Sequence, residues 1–355
     1  MKNYSFIRKI TVAVLTAALA CGATACGEAD SSQSSVTNED SAVNNSSESA
    51  ELKVVRIGCG GNNGAEGLSE SAAIAANEGY FEEELNKAGY TAEYFGFAQA
   101  GPAINEAFAA EEIDVGFYAD FPLFTAVSND VGVVGFALAN SEQNYAVFAS
   151  STSGIESAGD LEGKQVVVGA GTILQKYFID VVNEYSLNID NIGQINALQD
   201  AQTLIASGDA DAIIYNNLAA IRLENAGLGS VVEDTTDKPQ YSSAVVAAGR
   251  SEWLRENEEA AIAIVKALDR AQKFAENDPE AAYETMSSDS TPATVFQQTY
   301  SYDESFGYFK PEITDEYLTR AQTIADFMFE NSLIKKEIDV NGAFDNSYVE
   351  KALAE

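Results

Sequence analysis

From residue 52 onward, short apolar runs alternate with longer stretches in which apolar positions recur every three or four residues. Runs of four to eight residues bounded by Gly, Asn or Asp predict buried strands, and the longer period predicts amphipathic helices. Residues 54–59, 91–97, 113–117 and 131–138 form a first set of predicted strands. Helical stretches at 67–77, up to Ala88, and at 103–109 lie among them. A second set follows at 145–150, 165–169, 193–198 and 211–215, with a helix opening at Gly171-Thr172 and running to about Tyr185. The apolar segment 242–248 predicts a passage back to the first set. From Trp253 onward the pattern is mostly helical, at 258–275, 279–286, 292–300, 314–331 and near Val349.

Strand and helix alternating through short connections predict parallel α/β sheets rather than a sandwich or a helix bundle. The fold class expected is therefore α/β with two lobes and two crossovers forming a hinge, near 139–143 and 242–248. The expected division is 52–140 plus 246–355 for lobe 1 and 141–245 for lobe 2. In open α/β sheets, ligands bind where strand ends lead into helices. Two such sheets facing across a hinge make a cleft that can close on a solute.

The N-terminus adds an address. Lys2, Arg8 and Lys9 precede an apolar run over 10–20, too short for a permanent membrane span, which reads as a secretory signal. Ala23-Thr24-Ala25-Cys26-Gly27 then resembles a bacterial lipoprotein cleavage site, with residues 1–25 removed and Cys26 carrying lipid. Cys21, after Ala18-Leu19-Ala20, is the second candidate, and an ordinary cleaved signal is the plain alternative. Residues 26–51 contain no Lys or Arg and little to bury, so they read as a disordered tether. The localisation expected is the extracytoplasmic membrane face, with a body of about 300 residues, enough for two cores.

Composition removes several function classes. The chain contains no histidine, which excludes Ser-His-Asp and Cys-His catalysis and His-ligated zinc. Loss of Lys2, Arg8 and Lys9 with the signal takes the formal charge from −35 to −38. Nucleic acid is a poor partner for such a surface, and so are anionic lipid headgroups. Cys59 remains unpaired after processing at Cys26, so no disulfide framework or thiolate cluster can form. It ends an apolar run and reads as a small buried side chain. No metal and no cofactor is called for.

Several stretches resemble the periplasmic-type solute-binding proteins of the nitrate/sulfonate/taurine group, which includes thiamine-precursor binders. The stretch from Ala75 to Leu85, with Gly79-Tyr80-Phe81, resembles that group's first helix. Ile113-Asp114-Val115-Gly116 with Asp120-Phe121-Pro122 resembles its strand and Pro-containing turn. Ser153-Gly154-Ile155, the run Asp160 to Val168 and Gly171-Thr172 resemble its second-lobe signature. Gly208-Asp209-Ala210-Asp211-Ala212 and the tail from Phe344 to Leu353 also fit. The resemblance implies a type II binding-protein fold that performs no chemistry and delivers a small solute to an ABC importer. Its partners would be a permease and an ATPase, and the receptor itself a monomer. Two places depart from the pattern: the long loop 60–67, and Asn216-Asn217 where a proline is common.

The candidate ligand contacts are drawn from strand–helix junctions. Gly171 and Thr172 could offer backbone N–H groups and a hydroxyl to an anionic oxygen group, or Thr172 could serve only as a helix cap. Gln99 and Gly101 could do the same from the first lobe. Asn62, Asn63 and Glu66 lie in the first loop, where Asn supplies both donor and acceptor. Tyr118 and Asp120 follow the Asp114 strand, Tyr215 and Asn216 end a second-lobe strand, and Asn140 stands at the first crossover. Tyr177, one turn beyond Thr172, reads mainly as packing. None of these loops carries a basic residue, whereas a bound anion usually meets Arg or Lys. An aliphatic sulfonate or taurine-like anion is the first expectation. A pyrimidine-type ring held by Glu66, Glu70, Asp120 and tyrosine faces is the alternative. An enzyme pairing Glu66 with Asp120, and a surface adhesion protein or sensor, are the competing classes.

Overall fold

The protein is described over residues 52–354 in a computed structural model. The strands β1 (Lys53–Gly60), β2 (Tyr90–Phe97), β3 (Val115–Ala119) and β4 (Val133–Gln143) come first. Then follow β5 (Tyr145–Ser150), β6 (Gln165–Val167), β7 (Gly193–Ile195), β8 (Ala212–Asn216), β9 (Gly229–Asp234) and β10 (Ser243–Arg250). They form two five-stranded sheets, ordered β2-β1-β3-β10-β4 and β7-β6-β8-β5-β9. With the strand that arrives from the other sheet (β10 or β5) set apart, both orders run second, first, third, arriving strand, fourth, so one plan is used twice.

The sheets are mixed, not parallel as the alternation predicts. In the first, β1 runs parallel to β2 and β3, with Ile57 opposite Tyr94 and Val115. But β10 is antiparallel to both its neighbours, with Ala247 opposite Phe117 and Ala137. In the second, β5 is antiparallel to β8 and β9. The reason is the route of the chain: β5 and β10 are the strands that arrive from the other sheet, and they enter from the opposite end. The passages run through Asn144 and through residues 235–242, the first a little later and the second a little earlier than the segments expected from sequence. Thr235 fastens the two together. Its Oγ1 accepts from the Tyr145 N–H at 3.0 Å and donates to Asn144 Oδ1 at 2.7 Å.

Helices cover both faces of the first sheet. They are α1 (Glu70–Asn77), α2 (Tyr80–Lys87), α3 (Gly101–Ala109) and α4 (Asp120–Ser128). The second sheet carries α5 (Ile173–Glu184), α6 (Ala201–Ser207) and α7 (Asn217–Asn225). The chain then continues as α8 (Ser251–Glu256), α9 (Glu258–Asn277), α10 (Pro279–Met286), α11 (Ala293–Tyr300), α12 (Asp315–Glu330) and α13 (Ser347–Leu353). On one face of the first sheet, Ile57 and Phe117 pack with Phe81 of α2 and Ile264 and Leu268 of α9. On the other, Tyr118 packs with Ile104 and Phe108 of α3 and Tyr317 and Ile324 of α12. Successive residues Phe117 and Tyr118 thus enter different cores, as strand geometry requires. Each fully buried Ile, Leu or Phe contributes roughly 1.5–3 kcal/mol.

The far end of the first sheet is closed by one carboxylate. Asp114, whose side chain is almost wholly buried, accepts from Arg56 Nε at 3.0 Å, Arg56 Nη2 at 2.6 Å and the Arg56 backbone N–H at 3.0 Å. Arg250 Nη2 reaches the same carboxylate at 2.8 Å. Burial alone would raise the acid's pKa. The two guanidiniums outweigh it and hold Asp114 below the usual carboxylate range. Asp114 therefore joins β1, β3 and the outgoing end of β10. Removing it leaves two cations facing a buried gap, a loss of about 3–5 kcal/mol for a fully buried pair. Arg56 is about a third exposed, which screens part of this. Asp114→Asn should cost roughly 2–4 kcal/mol in urea denaturation. A loss below about 0.5 kcal/mol would show that the clamp is not structural.

Candidate functional site: a cavity between the two sheets

A cavity of about 740 Å³ opens between the first sheet's α1, the first crossover and the second sheet's α7. The first lobe contributes Glu66, Ser69 and Glu70, the crossover Gln143, and the second lobe Asn216 and Leu218. Its remaining wall is Met286, Phe296 and Tyr300, with hydroxyls of Ser287, Ser288 and Thr291 from the α10–α11 connection. No Lys or Arg lines it.

The loop 60–67 is drawn tightly against its surroundings. A side chain at Gly67 would lie 1.6 Å from the Gly60 carbonyl oxygen, and one at Gly96 would meet the Asn62 and Asn63 backbone at 2.9 Å. Asn62 and Asn63 are exposed, and Asn63 Nδ2 donates to Glu66 Oε2 at 2.8 Å. Of the first-loop candidates, only Glu66 lines the cavity. Cys59, below the loop, is fully buried as expected. Its thiol contacts the Gly64 carbonyl at 2.8 Å, and burial pushes its pKa up to about 11.

Glu70 is the unusual wall residue. It is 7% exposed, opens α1, and has φ +54 in the left-handed region that non-glycine residues seldom occupy. Tyr300 Oη donates to Glu70 Oε1 at 3.1 Å, while Oε2 is buried with no partner. Burial raises its pKa, opposed by Ser69, Tyr300 and Asn140. Asn140 is 1% exposed, and its Oδ1 accepts from the Glu142 N–H at 2.8 Å. Its Nδ2, like Glu70 Oε2, has no partner of normal geometry.

The other candidates are placed elsewhere for identifiable reasons. Gly171 is exposed with φ +73, and its N–H donates to Gln175 Oε1 at 2.7 Å. Thr172 Oγ1 accepts from the Leu174 N–H at 3.2 Å and donates to the Gly169 carbonyl at 2.6 Å, so it caps α5. Neither lines the cavity. Gln99 is exposed, and Gly101 is buried where any side chain would meet Pro122 Cβ at 2.5 Å, so its glycine serves α3–α4 packing. Tyr118 lies in the core, its ring 6.1 Å from that of Phe108. Tyr177 is likewise buried, 6.1 Å from the Tyr145 ring. Tyr215 borders a second, shallower hollow with Arg222 and Pro292. Asn216 lines the main cavity and caps α7, accepting from the Ala219 N–H at 3.4 Å.

Asp120 is fully buried at the start of α4 and does not line the cavity. It accepts from the Ala244 N–H at 3.0 Å, and from Tyr317 Oη at 3.4 Å. Burial pushes its pKa up to about 7 against the opposing Ala244 N–H, Arg320 charge, Phe121 N–H and Tyr317 hydroxyl. Arg320, on α12, donates to the Ser141 carbonyl and is almost wholly buried. It does not line the cavity. Gln143 at the first crossover, and Phe296 and Tyr300 in a segment with only helical packing periodicity, line the cavity without a local sequence signal.

Residues 72–282, more than half of the chain, match the NMT1/THI5-like family. The chain belongs to this family. A Bacillus subtilis (strain 168) protein whose name proposes aliphatic-sulfonate binding is 24% identical over 311 residues, covering 86% of this chain and 90% of the relative. A solved structure from Methylobacillus flagellatus KT, named as the periplasmic sulfonate-binding protein SsuA of a proposed sulfonate ABC transporter, superposes with TM-score 0.74. It is 25% identical, covering 86% of this chain and 94% of the other. The desulfurization enzyme DSZB shares the fold at TM-score 0.68 and 14% identity, covering 85% and 99%. The family member described here is thus a two-lobed, periplasmic-binding-protein-like α/β protein of type II.

The Asp120 environment sets a pH signature. The carboxyl keeps its proton to about pH 7 in the fold but releases it near 3.9 when unfolded. Between these values folding takes up a proton, so this group's contribution to stability declines as pH rises from about 4 to about 7. Asp120→Asn keeps an acceptor for the Ala244 N–H and should flatten that slope, by up to about 1.4 kcal/mol per pH unit. Urea denaturation of both proteins at pH 4.5, 6 and 8 measures it. Parallel pH profiles would refute the assignment.

Proposed function

We propose that this NMT1/THI5-like protein is the extracytoplasmic solute-binding component of an ABC importer, capturing an aliphatic-sulfonate-type solute. The observation that carries the reading is the 740 Å³ cavity walled from both sheets and the crossover between them. A solute there touches both lobes and stabilises the closed arrangement, which a permease can distinguish from the open one. The names of the Bacillus and Methylobacillus relatives support sulfonate as the solute class. Cavity hydroxyls and amides, from Ser69, Gln143, Asn216 and Thr291, can donate to sulfonate oxygens.

On this reading the receptor is a lipid-anchored monomer held through Cys26, working with a permease and an ATPase. Residues 1–51, and with them the signal, anchor and tether readings, lie outside the described residues. Among the described residues no helix is long and apolar enough to cross a membrane. Receptor rather than enzyme is favoured because Glu66 and Asp120 are not brought together: one is exposed at the cavity rim, the other enclosed behind α4 and α12.

A thermal-shift screen of the purified chain against alkanesulfonates, aminoalkanesulfonates, nitrate, aminopyrimidines and amino acids tests the solute class. A ligand at 100 times its Kd should stabilise the fold by about 2.7 kcal/mol. At least one sulfonate is expected to raise Tm, and the same compound to reduce the radius of gyration in solution scattering. A Tm rise with ring compounds alone would replace the solute class, and binding without compaction would overturn the closure mechanism.

A further inference from the structure

One wall of the cavity belongs to the first lobe but is bonded to the second. That wall is α11, whose Phe296 and Tyr300 line the cavity. We propose that α11, with the two residues after it, is a gate strap. It grips the second lobe through protein–protein bonds of its own, and solute enters and leaves where it parts from α7. The proposal deepens the reading of this cavity as the solute site and rests on it.

The strap is fixed at its base in the first lobe. The Tyr300 hydroxyl donates to Glu70 at 3.1 Å, and its carbonyl accepts from Tyr308 Oη at 2.6 Å. The Tyr300 ring lies 5.7 Å from that of Tyr308 and 5.4 Å from that of Phe309, all three within the first lobe's core. The Tyr302 ring lies 4.9 Å from that of Tyr308. Such aromatic pairs add to the area they bury, so this end of α11 moves with the first lobe.

The grip on the second lobe has two points, four residues apart. Gln298 Oε1 accepts from Asn225 Nδ2 of α7 at 2.7 Å, and Tyr302 Oη accepts from Asn144 Nδ2 at 3.0 Å. Asn144 is itself set by second-lobe elements. Its Oδ1 accepts from Thr235 at 2.7 Å, and its carbonyl accepts from the Asn217 N–H that opens α7 at 2.9 Å. Val295 of α11 and Leu223 of α7, both buried, border the hollow beside the cavity, and Ser290 lines both spaces. The lobes meet again through α5 and α12, where Ile173 and Ile179 pack with the core of Tyr317 and Ile324. Parting there would wet apolar surface, which is unfavourable. Parting at the strap exchanges surface hydrogen bonds for bonds to water, at small net cost. The cleft therefore opens on the α11 side.

Two double variants at the exposed pair test the strap in the full-length chain. Asn225→Asp with Gln298→Glu sets two carboxylates against each other, whereas Asn225→Lys with Gln298→Glu sets an ion pair in the same place. Solution scattering without added solute should give the first a larger radius of gyration than the second, with matching circular dichroism. Asn191→Ala removes an exposed bond of 3.1 Å to Glu162 inside the second lobe and should leave the wild-type radius unchanged. Equal radii for the two double variants would overturn the proposal. Tyr302→Phe keeps the ring and loses the acceptor. With ethanesulfonate as the probe, its dissociation should quicken by roughly two- to tenfold, the range of one hydrogen bond. An unchanged rate would also overturn the strap. Failure of the wild type to bind ethanesulfonate would count against the sulfonate reading alone, and the scattering comparison would still decide the strap.

Discussion

One strand holds the molecule together. β10 is buried along its length up to Arg250 and lies between β3 and β4, so the first sheet is continuous only because the chain has come back from the second. Both its ends are fastened by buried polar groups. At the hinge end, the Ala244 N–H meets Asp120, and Ser243 meets the Tyr145 hydroxyl. At the far end, Arg250 meets Asp114. The lobes can therefore rotate about the two passages only while β10 remains a fixed part of the first sheet. Asp114 and Asp120 act on opposite ends of one element, the first held ionised by two arginines and the second driven towards its neutral form by burial.

This division clarifies why the cavity differs from the expected helix-terminus anion site. The N–H and hydroxyl groups of Gly171 and Thr172 are consumed by Gln175, Leu174 and Gly169. The cavity wall comes instead from the first crossover and from α10, α11 and their connection. Asn225 Nδ2 of α7 donates to Gln298 Oε1 of α11 at 2.7 Å, and Asn144 Nδ2 donates to the Tyr302 hydroxyl at 3.0 Å. The C-terminal helices are thus both the cover of the first lobe and a contact surface for the second.

Much of the fold was legible because burial writes a period. Helices such as α9 and α12 show a clean apolar stripe, and central strands such as β3 and β8 show near-continuous apolar runs. Strand direction is not written this way, so the reversed β5 and β10 could not be distinguished from parallel neighbours. β9 was missed because it is an edge strand with only Val231 and Val232 apolar, and none of its residues is buried. α4 was missed because Pro122 and the mixed Phe-Leu-Phe-Thr pattern resemble a turn. Tyr118 was misjudged because both faces of β3 are covered, which removes the alternation that would show where a tyrosine points. Glu70 was noticed only as a carboxylate. Its backbone strain and its Tyr300 partner, 230 residues away, have no local signature.

The insertion of β10 also fixes an order of events. A chain made from its N-terminus presents residues 53–143 first, and these supply four of the five strands of the first sheet. β3 and β4 each lack their β10 partner until residues 243–250 arrive, about a hundred residues later. The second sheet, drawn wholly from residues 145–234, has every strand it needs before that point. The lobe that comes second along the chain is therefore the one able to finish first. In the interval β3 and β4 each present an unpaired edge, the kind of surface through which strands add to one another.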